Sequence, residues 1–206
     1  MVVAAKALNG TTKATALLEI PPLEIKVVRL HIVGDSPIMT HQWSEKAKKE
    51  MRDKQMGKAV GKKAPKDPEA DYQGAFYRME DGSPAMRTIA FKCAAVDAAT
   101  QVSGLTKTFL RGAFHTIGEL VKIEGTPRMR EDMVRVGMGT ADLRYRPEFE
   151  VWSVDLLVRF NSRAITLGQL VHLFNQAGFS TGVGEWRPQK DGMHGLFHVE
   201  GIEEVR

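Results

Sequence analysis

Between positions 151 and 160 the chain reads VWSVDLLVRF, with Trp152, Val154, Leu156, Val158 and Phe160 alternating against Ser153, Asp155, Leu157 and Arg159. A two-residue period is the repeat of an extended chain with one face buried, so this segment reads as a half-buried strand. The next residues narrow the choice further. Thr166 and Gln169 stand at the spacing of a reciprocal helix cap. Leu167, Leu170, Val171 and Phe174 then recur at helical spacing, and Gly178 is expected to end the helix. A glycine-rich stretch leads to a last strand, GLFHVE, at 195–200. The strand has one apolar face and the helix one apolar stripe, and packing against each other is the simplest way to bury both.

The first half of the chain repeats this logic. Residues 24–34, EIKVVRLHIVG, alternate and are stopped by Gly34-Asp35-Ser36-Pro37. A helix is expected from about Thr88 to Val102, with Phe91, Ala94, Ala95, Ala98 and Val102 on one face. Residues 44–56 have a helical composition with few apolar anchors and run into GKAVGKKAPKDPEAD, which reads as a mobile loop. Residues 74–80 suggest a short strand, and 113–117 and 120–123 a strand pair. Residues 126–149, with Arg128, Arg130, Arg135, Arg144 and Arg146, read as a hairpin or excursion.

With the insertions removed, the order is strand, helix, strand, strand, helix, strand. That predicts an α+β fold: a ferredoxin-like or RRM-like antiparallel sheet with two helices on one face plus long insertions. The chain is read as one domain over 1–206, with 42–87 a basic, partly mobile insertion and 104–150 an arginine-rich β excursion. The open face of the sheet would display Arg29, His31, Ser153, Asp155, Leu157, Arg159 and His198, as a solvated surface or a platform for a ligand.

Composition excludes several classes. Hydrophobic residues at 43% and charged ones at 26% are those of a globular chain. No apolar run approaches the roughly 18 residues of a membrane span. The N-terminal MVVAAKALNGTT is interrupted by Lys6 and Asn9 and does not read as a secretion signal. One cysteine, Cys93, permits no internal disulfide and fits a reducing, cytoplasmic setting. The net charge of +4 is modest, but residues 45–66 hold nine basic residues against three acidic ones, so the positive charge is local. Lys46, Lys48, Lys49, Lys62 and Lys63 in that run are candidates for salt-dependent capture of a polyanion, or a solubilising face.

The stretch TGVGEWRPQKDGMHG at 181–195 contains more glycine than a turn requires. Gly182 and Gly184 would let bare peptide N–H groups approach phosphate oxygens. Arg187 and Lys190 would add charge, and Trp186 a face for a base to stack on. The plainer reading is a loop whose tryptophan packs onto the core. Gly182-Val-Gly184, Arg187 and Gly192-Met-His-Gly195-Leu-Phe resemble the glycine-rich loop that precedes the last strand in the RAMP superfamily of CRISPR proteins. Ile32-Val-Gly-Asp-Ser-Pro-Ile38 resembles the end of the first RAMP strand. Met86-Arg-Thr-Ile-Ala-Phe-Lys92-Cys-Ala-Ala resembles the start of the first helix, where backbone-forming subunits often carry a lysine. The likeness covers both ends of the chain and this helix, not 42–85 or 104–150. The chain also resembles uncharacterised bacteriophage proteins, for which the setting would be the host cytoplasm.

The resemblance implies a non-enzymatic subunit that grips single-stranded nucleic acid, RNA or DNA, by its phosphate backbone and polymerises along it. Its partners would be the strand, further copies of the chain or a larger ribonucleoprotein, with no membrane and no cofactor. Arg144 and Arg146, flanking Tyr145, either clamp phosphate or form the solvated side of a hairpin. Lys92 lies near a helix start, unfavourable for a cation unless an anion is close, or is an exposed lysine on the polar face. His31 and His41 have no evident partner that would complete a catalytic centre, yet the RAMP superfamily also includes metal-independent CRISPR-RNA-processing endoribonucleases that use a histidine in this region. An enzyme is the minority reading. A third reading is a phage protein-interaction module whose lysines meet an acidic host surface. His194 and His198 are four apart, but at a loop–strand junction where that spacing does not place them as on a helix, and no C-x-x-C or H-E-x-x-H spacing is present.

Overall fold

The computed structural model describes residues 22–43, 45–58, 65–136 and 139–205. The first half holds β1 (Ile25–Gly34), β2 (Ile38–Met39), α1 (Glu45–Gln55), α2 (Pro68–Gly74), β3 (Tyr77–Arg78), β4 (Pro84–Arg87) and α3 (Thr88–Ala98). Then come α4 (Lys107–Ala113), β5 (Phe114–Thr116), β6 (Leu120–Lys122), β7 (Pro127–Val136), β8 (Thr140–Phe149), β9 (Ser153–Asn161), α5 (Leu167–Ser180) and β10 (Phe197–Val205).

The central sheet has the order β10-β1-β9-β5, antiparallel throughout. With α3 between β1 and β5, and α5 between β9 and β10, this is the ferredoxin-like arrangement expected from the element order. The alternation decides which face is covered. Val28, Leu30 and Ile32 of β1 and Val154, Leu156, Val158 and Phe160 of β9 are buried. They form one core with Phe91, Ala94, Ala95 and Ala98 of α3 and Leu170, Leu173, Phe174 and Ala177 of α5. Edge-on ring contacts tie helix to strand on that face: Phe91 to Phe197 at 5.5 Å and Phe114 to Phe174 at 5.8 Å. Each such side chain contributes about 1.5–3 kcal/mol on burial. The Thr166–Gln169 capping box is present at the start of α5.

Two smaller sheets flank this core. β7 and β8 pair over their full length, from Pro127 opposite Phe149 to Val136 opposite Thr140, and β2 adds to the outer side of β8. β3, β4 and β6 form the other sheet and deliver the chain into α3.

Four local expectations change. Residues 114–116 and 120–122 are strands, but they do not pair with each other: β5 joins β9 and β6 joins β4. The segment before them is a helix, α4, capped by the Thr106 hydroxyl. Pro68–Gly74, within the expected loop, is helical because Asp67 caps it and Pro68 suits a first turn. Gly178 does not end α5. The helix runs on to Ser180, and a side chain at 178 would overlap the Phe197 backbone, so this glycine lets helix and strand approach. Among the described residues no helix is long and apolar enough to cross a membrane.

Candidate nucleic-acid interface

The loop between α5 and β10 is bonded to itself and to the start of the chain's excursion. The Gly182 amide donates to the Ala177 carbonyl (2.9 Å), Val183 to Gly195 (2.9 Å) and Gly192 to Arg187 (3.1 Å). Glu185 donates to Met39 (2.9 Å), and Gly195 to Pro37 (2.8 Å). The glycines exist because other backbone passes too close for a Cβ: Trp186 at Gly192, Val183 at Gly195 and Met39 at Gly184. Gly182 is therefore not the expected phosphate contact. It is buried and its N–H is already used. Gly184, with φ of +80°, stays at the surface of a cleft.

What the loop presents outward is side chains. Trp186 is held at φ 55°, a left-handed conformation costly for a bulky residue, and remains 45% exposed. Arg187 donates to the Gly184 carbonyl (2.9 Å) and to Gln189 Oε1 (3.0 Å), and Gln189 in turn reaches Asp97 of α3 (2.7 Å). Among the described residues no carboxylate lies within salt-bridge distance of Arg187. Lys190 is exposed at the loop's outer turn.

Beside this loop is a cleft of about 200 Å³ lined by Thr40, His41, Arg87, Ile89, Glu185 and Arg187, among others. Thr40 is 3% exposed, and its hydroxyl has no hydrogen-bond partner among the described residues. Arg87, at the head of α3, has no ion-pair partner among the described residues. A second cleft of about 390 Å³ includes Trp43, Met51, Lys66, Arg144 and Tyr145, and shares the wall formed by His41. Burial pushes the His41 pKa down, Arg144 and Arg146 add to the effect, and Glu185 opposes it. The ring is therefore neutral at pH 7. On α1, which borders the second cleft, Lys48 pairs with Glu45 (2.7 Å), while Lys49 has no acidic partner among the described residues. Lys62, Lys63 and the side chain of Lys46 lie outside the described residues.

Arg146 does neither of the things expected of it. It is 2% exposed, with one nitrogen 2.7 Å from Asp132 and another 3.7 Å from Glu185. Arg130 bridges Asp132 (3.0 Å) and Glu148 (2.7 Å), Arg128 also reaches Glu148 (2.7 Å), and His194 lies 3.5 Å from it. Burial alone would raise the Asp132 and Glu148 pKa values, but the arginine hydrogen bonds outweigh it and hold both down. These pairs join the hairpin base to the glycine loop through Glu185 and His194. Sequence reasoning missed Asp132 and Glu148 as site-shaping residues. Their signal lies in the pairing register, which sets Arg128 opposite Glu148, Arg130 opposite Arg146 and Asp132 opposite Arg144 on one hairpin face.

No protein-family model matches the chain, and a search of curated proteins returns no significant match. Among solved structures, Cmr6 from Pyrococcus furiosus superposes with a TM-score of 0.45 at 11% identity, covering 86% of this chain and 100% of that one.

The remaining expected residues lie elsewhere. On the open sheet face His31 contacts Asp155 (2.8 Å) and Glu200 (3.5 Å), His198 contacts Asp35 (2.7 Å) and Arg29 pairs with Glu203. Most of that face's basic groups are thus already matched by carboxylates. Lys92 does not line either cleft. Its Nζ donates to the Arg111 carbonyl (3.1 Å) and lies 2.8 Å from His115 Nδ1, at the outer edge of β5.

Proposed function

We propose that this chain is a RAMP-like protein that binds single-stranded nucleic acid through its phosphate backbone, without chemistry, along the two joined clefts. The observation that carries this is the pairing pattern. Arg87 and Arg187 line one cleft with no carboxylate within salt-bridge distance among the described residues, and the same cleft holds a buried Thr40 hydroxyl that has no hydrogen-bond partner there. An anion with several oxygens satisfies both needs. The two clefts share His41 as a wall, so a strand can pass from one to the other. Trp186 offers a stacking face, and Lys48 and Lys49 supply longer-range attraction. Polymerisation along the strand, membership of a larger ribonucleoprotein and a cytoplasmic setting, the host's for a phage protein, belong to the same proposal.

Labelled poly-U and oligo-dT strands, titrated at two salt concentrations and then run on a denaturing gel, test it. Intact strands, binding that falls steeply with salt, and a loss of about 1–3 kcal/mol in Trp186→Ala are expected. Arg187→Glu should weaken binding far more than Lys62→Glu, and equal losses would overturn the assignment of the grip. A second reading has one specific support: His41 is neutral, partly buried and close to the Arg144 charge, the elements of a base with a stabilising cation. Cleavage without added metal, abolished in His41→Ala, would establish that reading. Absence of binding at low salt would leave a protein-interaction role.

A further inference from the structure

We infer that the outer edge of β5 is a second anion site, separate from the clefts, built for a phosphate monoester. Lys92 reaches from α3 around the sheet edge to His115, with Nζ 2.8 Å from Nδ1. His115 stands directly opposite Arg159 in the β5–β9 register, so the two side chains leave the same face side by side. The Arg111 carbonyl of α4 anchors Lys92 in that position.

The charged groups that act on His115 from the elements packed on β5 are Lys92 of α3 and Arg159 of β9; Cys93, next to Lys92 on α3, is exposed, and α4 contributes the Arg111 carbonyl. None of the cations has a carboxylate within 4 Å among the described residues. Elsewhere on the sheet a basic group has an acid beside it, as with Arg29, His31 and His198. Like charges gathered without a counter-charge repel one another. Burial, then Lys92, then Arg159, lower the His115 pKa. Burial and Arg159 lower that of Lys92 as well, against an opposing effect of Cys93.

A phosphate monoester fits because it carries about two negative charges near neutrality and several acceptor oxygens. It relieves the repulsion between Lys92 and Arg159 and returns a proton to His115. A phosphodiester, with one charge, gains less. The ligand is therefore a terminal phosphate of a nucleic acid strand or a free phosphate species, and both share the same oxygens.

The test follows the His115 ring by NMR in the full-length protein as pH is varied, with and without inorganic phosphate at about 10 mM, above the millimolar Kd expected of a small anion. Phosphate should raise the pH at which the ring titrates, and Arg159→Gln, an exposed position, should weaken that response about tenfold. Lys92→Arg, which keeps the charge, should retain it. A 5′-phosphorylated dinucleotide binding more tightly than its 5′-hydroxyl counterpart would identify a strand end; equal binding with a retained phosphate response would identify a free phosphate species. A His115 titration unmoved by phosphate, or moved equally in Arg159→Gln, would overturn the inference. Arg87→Glu should leave the response intact while weakening long strands, so failure at this edge and failure in the clefts are read separately.

Discussion

Arg146 shows how far one residue's role depends on what surrounds it. In the sequence it belongs to an arginine-rich stretch that invites a phosphate. In the fold it is buried within the hairpin, paired with Asp132, which Arg130 links on to the buried Glu148. Removing one member strands the others in a medium that solvates them poorly. Arg146→Met should therefore lower stability by about 3–5 kcal/mol in urea unfolding, whereas Arg144→Met, partly exposed and 3.8 Å from Asp142, should cost about 1 kcal/mol at most. Gly192 is a second case. Its composition suggested an open, anion-binding backbone, but its purpose is to admit the Trp186 carbonyl. Gly192→Ala should cost about 1–3 kcal/mol and disturb the Trp186 fluorescence, because a Cβ at 192 would overlap the Trp186 backbone.

Among the elements, α5 and the β7–β8 hairpin behave differently because their stabilising contacts have different ranges. The cap of α5 is written within four residues, so it is legible in the sequence alone. Thr166→Ala should cost about 1 kcal/mol by removing the hydroxyl that accepts from Gln169. The hairpin depends on charges brought together across strands. Asp132 and Glu148 have folded pKa values below their unfolded ones, so their contribution is complete above the ordinary carboxylate range and is lost as pH falls through the lowered values. A thermal-unfolding series should show a decline on acidification below about pH 5, and Arg130→Gln should make that decline smaller, because it brings the folded values back toward the unfolded ones. The failed expectations have the same origin. The strands at β5 and β6 were visible as apolar alternations, but nothing local says that one will join β9 and the other β4.

At the scale of the whole molecule, the distribution of unpaired cations matters more than the net charge. Among the described residues, Arg29, Lys107 and Arg130 are among the basic groups matched by a carboxylate, whereas Arg87 and Arg187 at a cleft, Lys49 on α1 and Lys92 at the β5 edge have none within salt-bridge distance. With Arg87, Arg187 and Arg144 as the phosphate contacts, the logarithm of the single-strand binding constant should fall against log salt with a slope of about −2, from roughly −0.7 per contact. Arg187→Gln should make that slope shallower by about 0.7. A slope near zero with retained affinity would point to a ligand held by something other than phosphate.

The order of strands and helices, the face each one buries and the cap of α5 were readable because they rest on period-two and period-3.6 patterns that neighbouring residues set between them. Trp186 and Arg187 were likewise marked by the company of the glycines. Only the tertiary structure decided that those glycines close on themselves, that Arg146 is buried while Arg144 lines a cleft, and that Lys92 meets His115. Each of these depends on which residues distant in sequence become neighbours. A charge reveals whether it is spent or available only when its nearest opposite charge is known.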